Sequence, residues 1–169
     1  MAELSTISSS SQFRDAMARM PSSVSVVTTD GPGGKWGVTA SAVCSVSDSP
    51  PTLLICLNRE SRAHSIIERN LAVAVNVLNE DQIGLSKRFF VKTEDEVASE
   101  FSAARWSQNA SSPPVLKGAA VSLVGKVART VEAASHTVFF VLVDSVATYD
   151  GGAKLKPVIY FDRDFQFLK

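Results

Sequence analysis

Apolar residues in this chain fall mostly into short runs of period two, and the helical period is confined to a few brief segments. Helical spacing begins near Ser11, where Phe13, Ala16, Met17 and Met20 share one face, a serine is available as cap, and Pro21 ends the run. Ser23–Thr29 is β-branched and predicts a strand; DGPGGK is a turn, and Trp36–Ser47 a second extended stretch. A continuous apolar strand at Leu53–Leu57 leads into a helix over Ser61–Arg69, with Ile66 and Ile67 on its apolar face. Leu71–Leu78 alternates as a strand. Asn79 with Gln82, and Thr93 with Glu96, have the spacing of capping boxes and predict two short helices. Trp106–Gly118 carries a Pro-Pro pair and predicts an irregular crossing. Two long β runs follow, Ala119–Val131 and His136–Tyr149, joined by the turn EAAS, then a last strand at Pro157–Phe161 and a tail with Arg163 and Phe165.

Strands therefore dominate, and they do not alternate regularly with helices, which argues against a parallel sheet. The expected fold is mainly β with short helices, an antiparallel split β-barrel. Residues 1–12 read as a mobile, serine-rich N-terminal arm and residues 13–169 as one domain.

Charge narrows the function. Lysine plus arginine equals aspartate plus glutamate at 17 each, which offers no basic surface for nucleic acid. No apolar run reaches membrane-spanning length, and the polar N-terminus lacks the apolar segment of a signal peptide. Cys44 and Cys56 lie in apolar strand-like segments without metal-ligand spacing, so buried free thiols in a cytoplasmic protein are expected.

Candidate chemistry concentrates between Gly37 and Ser61, in GVTASAVCSVSDSPPTLLICLNRES. The small residues Thr39, Ala40, Ser41 and Ala42 fit either close packing of another strand or close approach of a flat ligand. Asn58, Arg59 and Ser61 gather donors at a strand end, suited to a phosphate or simply to a turn and an N-cap. The glycines at 31, 33, 34 and 37 do not form a dinucleotide fingerprint, because their spacing differs and a strand, not a helix, follows. His64 reads as a solvated helix side chain, while His136 opens a strand at a barrel rim. A triad of Ser135, His136 and Asp144 is disfavoured, since neighbours on a strand point to opposite faces. An inventory this short in acids, bases and metal ligands suits hydride transfer between two cofactors, where the protein supplies stacking and orientation.

The segments FRDAMARMPSSVSVVTTDGPGG, GVTASAVCSVSDSPPTLLICLNRES, AVNVLNEDQ, PVLKG, SHTVFFV and VIYFDRDF together resemble the short-chain flavin reductases. These are the small reductase components of two-component flavin-dependent monooxygenases, among them the reductases paired with 4-hydroxyphenylacetate 3-monooxygenase. The resemblance runs in order from Phe13 to Phe165. It implies a homodimeric split barrel that binds FMN or FAD near the subunit interface and reduces it with NADH. It further implies that Thr39–Ala42 face the flavin ring through backbone amides, with Cys56, Leu57 and Asn58 lining the same groove. Asn58, Arg59 and Ser61 would approach the ribityl phosphate, and Ser86 and Phe89 would close that end. His136 would lie near the nicotinamide as a positioning group, and Tyr160 and Arg163 match the C-terminal aromatic and basic positions. Ala134-Ser135 stand where the family has Gly-Asp or Gly-Thr.

The expected activity is NADH-dependent reduction of free flavin, released to diffuse to a partner monooxygenase. Two rivals are a split-barrel oxidoreductase that retains its flavin and a non-catalytic FMN-binding storage or sensor protein.

Overall fold

The computed structural model describes residues 9–89, 93–107, 112–149 and 155–167. Its helices are α1 (Ser10–Met17), α2 (Arg62–Asn70), α3 (Gly84–Arg88) and α4 (Glu94–Phe101). Its strands, in chain order, are β1 (Ser22–Ser23), β2 (Ser25–Thr29), β3 (Trp36–Ala40), β4 (Val43–Asp48), β5 (Pro51–Asn58) and β6 (Ala72–Val77). They continue as β7 (Trp106–Ser107), β8 (Val115–Leu116), β9 (Val121–Ala133), β10 (His136–Thr148), β11 (Val158–Phe161) and β12 (Asp164–Phe167).

Seven strands form one antiparallel sheet in the order β3-β2-β6-β9-β10-β5-β4. Its two edges, β3 and β4, are consecutive in the chain, so the sheet curls back on itself yet is not closed by a ladder between them. The split barrel expected from the sequence is thus present as an open one. A three-stranded sheet, β1-β11-β12, stands beside it.

Alternation decides which side chains fill the barrel. On β5, Leu53, Ile55 and Leu57 point inward with Val27, Val75, Phe139 and Val141, while Leu54 and Cys56 stay half-buried on the other face. Strand β2 is buried along its whole length because its second face is covered as well. There Val26 joins Phe89, Phe101 and Trp106 in an outer core beneath α3 and α4. Gly37 makes that cover possible, since a Cβ at this position would lie 2.6 Å from Cε1 of Phe89.

Several sequence expectations change. Trp36–Ser47 is not one strand; it breaks at Ser41-Ala42, where the chain leaves one sheet edge for the other. Trp106–Gly118 contains a pair of two-residue strands, and Asn76 Oδ1 holds the second by accepting from Leu116 N at 2.9 Å. The tail beyond Phe161 forms β12, which the turn at Asp162 and Arg163 brings back against β11. Helix α1 begins at Ser10, capped by Ser9, inside the span read as an arm; residues 1–8 lie outside the described residues. Its apolar face buries nothing within the chain, leaving Phe13, Met17 and Met20 exposed.

Helix α2 ends on Leu71, whose left-handed conformation (φ 53°) lets its N–H bond the carbonyl of Ile67 at 2.9 Å. A branched side chain is costly in that conformation, and this one is half exposed, so it returns little burial. Leu71→Gly is expected to raise unfolding stability by about 1 kcal/mol, read as a higher denaturation midpoint in urea at unchanged slope.

Candidate functional site

A cavity of about 470 Å³ opens where the end of β3 meets α3 and the β11–β12 hairpin. Its lining includes Thr39, Ala40, Ser41, Ser86, Tyr160 and Arg163, six of the positions singled out in the sequence. Each wall has a local cause. Thr39 Oγ1 donates to the carbonyl of Ser86 at 2.7 Å and Thr39 N to that of Phe89 at 3.4 Å, which fastens α3 along the edge strand. The Ser86 hydroxyl is spent on its own helix, donating to Ile83 O at 2.7 Å. At the following corner, Ala42 O accepts from Cys56 N at 3.0 Å. The amides of Ser41 and Ala42 make no hydrogen bond to another described residue.

The facing wall is aromatic and basic. Tyr160 and Phe165 pack with ring centroids 5.6 Å apart. Between them the hairpin turns through Asp162 and Arg163, both left-handed. This turn is tied to α1 twice: Asp162 N donates to Ala18 O, and Arg163 pairs with Asp15. The bond to Asp15 holds the Arg163 guanidinium above its ordinary pKa and places it on the cavity wall as one half of an ion pair. Lys87 lines the same cavity.

A second group of candidates gathers elsewhere, at the joint between the end of β5 and the β9–β10 turn. Asn58 pairs with His136 in the strand register, Arg59 N donates to Ser135 O at 2.9 Å, and the Arg59 side chain meets Glu132 at 3.1 Å. Much of this cluster is structural. Asn58 Oδ1 accepts from Glu60 N at 2.9 Å, and Ser61 caps α2 by accepting from His64 N at 3.3 Å. Cys56 lies between the two groups, facing the corner. The side chains of Leu57 and Phe89 are buried, at 5% and 3% exposed, and belong to the inner and outer cores respectively.

Three further readings need correction. Ser135 Oγ lies 2.9 Å from His136 Nδ1. The two were expected to point apart, but Ser135 belongs to the turn, after left-handed Ala134, where strand alternation does not hold. Asp144 is eight positions further along β10, so no triad forms. His64 is not solvated: it is 6% exposed, with Nε2 2.8 Å from Thr137 Oγ1, Nδ1 3.6 Å from Glu68, and its ring edge-on to Phe139. Its place three residues before Ile67 sets it on the buried face of α2, a signal present in the sequence. Nor are both thiols buried, since Cys44 is exposed and Cys56 intermediate. Strand β4 is an edge whose residues from Cys44 onward face solvent. Lys87, Val24 and Phe165 are cavity residues that the sequence reading passed over; Lys87 adjoins Ser86 in LSKRFF.

Among the described residues no cluster of His, Cys, Asp or Glu could hold a metal ion. The cavity instead combines small residues, unbonded corner amides, an aromatic wall and two cations. Such a lining holds a flat ring by its edge and an anion by its charge.

Comparison with known proteins gives the family. The family described as "Flavin reductase like domain" matches residues 17–169. This chain belongs to that family. It is 45% identical over 156 residues to the FMN reductase (NADH) RutF of Serratia proteamaculans, covering 92% of this chain and 86% of the relative. It is 36% identical over 157 residues to the 4-hydroxyphenylacetate 3-monooxygenase reductase component of Pseudomonas aeruginosa, covering 93% and 91%. The solved NADH:FAD oxidoreductase SgcE6 of Streptomyces globisporus C-1027, in complex with NAD and FAD fragments, superposes with a TM-score of 0.86 at 27% identity, covering 99% of this chain and 98% of that one.

The two thiols of this chain differ in exposure. Partial burial pushes the Cys56 thiol up, so less of it is thiolate at a given pH, whereas Cys44 is exposed. Iodoacetamide at pH 8 is expected to alkylate Cys44 first, and peptide mass mapping over a time course checks the order.

Proposed function

We propose that this protein is an NADH-dependent flavin reductase that takes FMN or FAD as a dissociable substrate and supplies reduced flavin to a partner monooxygenase. The observation that carries the reading is the convergence of Thr39, Ala40, Ser41, Ser86, Tyr160 and Arg163 on one cavity in a chain of this family. The residues present fit a flavin. Small side chains at 40–42 let a planar ring reach the backbone, and the amides of Ser41 and Ala42 supply donors for its polar edge. Arg163 and Lys87 supply charge for a phosphate.

Bound flavin provides the electron-accepting chemistry for a hydride delivered from reduced nicotinamide. The chain's own part is placement. Tyr160 and Phe165 limit the tilt of a ring in the cavity, and the Ala42–Cys56 hydrogen bond fixes the corner against which it lies. His136, exposed on the rim with Nδ1 beside Ser135 Oγ, keeps Nε2 for a ligand. That geometry suits orientation of the nicotinamide, a proximity effect that needs near-contact alignment. Few charges hold the flavin, which favours release over retention.

A homodimer fits the exposed apolar residues. Val46, Leu142 and Val146 stand in solvent on β4 and β10, with Phe13 and Met17 on α1 and Met20 just after it. Exposed apolar surface of this kind marks an association site. Free thiols and a need for NADH suit a cytoplasmic setting.

NADH consumption measured with and without free flavin tests the activity. Turnover is expected to scale with added FMN or FAD and to yield hydrogen peroxide in air; a protein that turns over with retained flavin, or not at all, refutes the reading. In the same assay His136→Ala is expected to lower kcat/KM for NADH by about 2- to 10-fold, the worth of one neutral hydrogen bond, and to leave flavin affinity unchanged. Light scattering is expected to give twice the chain mass of 18.1 kDa; an active monomer would remove the interface from the site.

A further inference from the structure

A second cavity, of about 820 Å³, is a cleft between α2, α4 and the β2–β3 turn. Arg62, Ile66 and Arg69 come to it from one face of α2, at spacings of four and three residues. Glu94, Ala98, Phe101 and Ser102 come from one face of α4, and Lys35 and Trp36 from the turn and the start of β3. Small residues keep the cleft open, namely Ala98, Ser102, Gly33 and Gly34. A Cβ on Gly34 would meet nothing within 4 Å.

The cleft has an apolar floor of Trp36, Ile66 and Phe101 and a cationic rim. Lys35 is 3.4 Å from Asp30, and Arg62 pairs with Glu94, so carboxylates answer two of the three rim cations. Arg69 makes no ion pair among the described residues; its Nε donates to the carbonyl of Ser65 within its own helix. A positive charge is thus left over in a protein whose total charge is zero. The Arg62 guanidinium lies 4.8 Å over the ring of Trp36, a stack that a second planar group can extend or replace.

We propose that this cleft is a binding site for an adenosine phosphate, with the base stacked at Arg62 and Trp36 and the phosphate held by Arg69. Neither half of that ligand alone matches the cleft. A free phosphate would leave the apolar floor bare, and a neutral base would leave Arg69 without an anion. The volume is within the range of small-molecule sites. Strand β3 runs from Trp36 here to Thr39 and Ala40 in the flavin cavity, about 10 Å away at strand rise. The adenylate could therefore be one end of a dinucleotide or a free nucleotide.

The direct test is titration of the full chain with AMP, followed by tryptophan fluorescence and by calorimetry, with adenosine and inorganic phosphate as separate probes. Saturable AMP binding is expected, with either fragment at least about tenfold weaker. Arg69→Gln and Arg62→Gln, both at a solvent-facing rim, are expected to weaken AMP by about tenfold each while the circular dichroism spectrum stays the same. No saturable response to millimolar AMP, or equal AMP affinity in the double variant, overturns the proposal. These readouts need no turnover, so they stand or fall apart from the reductase reading. KM for FAD relative to FMN then separates the sources: a ratio that rises in Arg69→Gln marks the dinucleotide end, and an unchanged ratio with lost AMP binding marks a free nucleotide.

Discussion

Everything about the cavity at the end of β3 depends on how closely α3 can lie on that strand, and the hydrogen atom that serves Gly37 as a side chain sets that distance. The ring of Phe89 fills the space where a Cβ would be, with Trp106 edge-on to it and Phe101 tilted against it at 41°. With the aromatic cluster seated there, the carbonyls of Ser86 and Phe89 come within reach of Thr39. An edge strand that would otherwise expose unpaired backbone groups is thereby covered. The same contact brings Lys87 to the cavity. A larger residue at 37 would therefore act on the ligand wall as well as on the core, because packed interiors transmit displacement instead of absorbing it.

The opposite wall is built on a different principle. Tyr160, Arg163 and Phe165 belong to a small sheet outside the barrel, and the turn between β11 and β12 is held to α1 by one backbone hydrogen bond and one exposed ion pair. Exposed ion pairs contribute little to stability. The strands of this hairpin still reach the outer core, with Val158 buried in it and Tyr160 and Phe165 packed against it, so it is the turn carrying Arg163, not the whole wall, that rests on contacts which exchange readily with solvent.

How much of this was legible in the sequence varies with the length scale of the cause. Capping boxes are local: the one at Thr93–Glu96 is formed in both directions, and at Asn79–Gln82 the Gln82 side chain accepts from Asn79 N. LLICL reads as a continuous apolar strand, and because every position in it is apolar the run gives no sign of which residues turn inward; the structure divides Leu53, Ile55 and Leu57 from the half-buried Leu54 and Cys56. The break at Ser41-Ala42 was not legible, because a chain crossing from one sheet edge to the other has no distinct composition. His64 shows the limit of judging a residue by its type: its helical position placed it inside, where Thr137 from a strand 73 positions away satisfies its Nε2. The resemblance supplied Tyr160 and Arg163, which no local pattern would have joined to Thr39.

Where the candidates divide, the division itself is informative. Thr39, Ala40, Ser41 and Ser86 meet at the core-anchored wall, while Asn58, Arg59, Ser61 and His136 meet at the rim, and the Ala42–Cys56 hydrogen bond joins the two. Hydride transfer requires two planar groups in contact, so a protein that performs it needs one surface to seat the acceptor and another to direct the donor. On the proposed reading the barrel would supply both from one continuous stretch of chain, because the corner at 41–42 returns the backbone beside β5 just before that strand ends at the histidine's pairing partner. The stretch from Gly37 to Ser61 is organised less as a binding motif than as a bend, and the chemistry of the site follows from where the bend places its two ends.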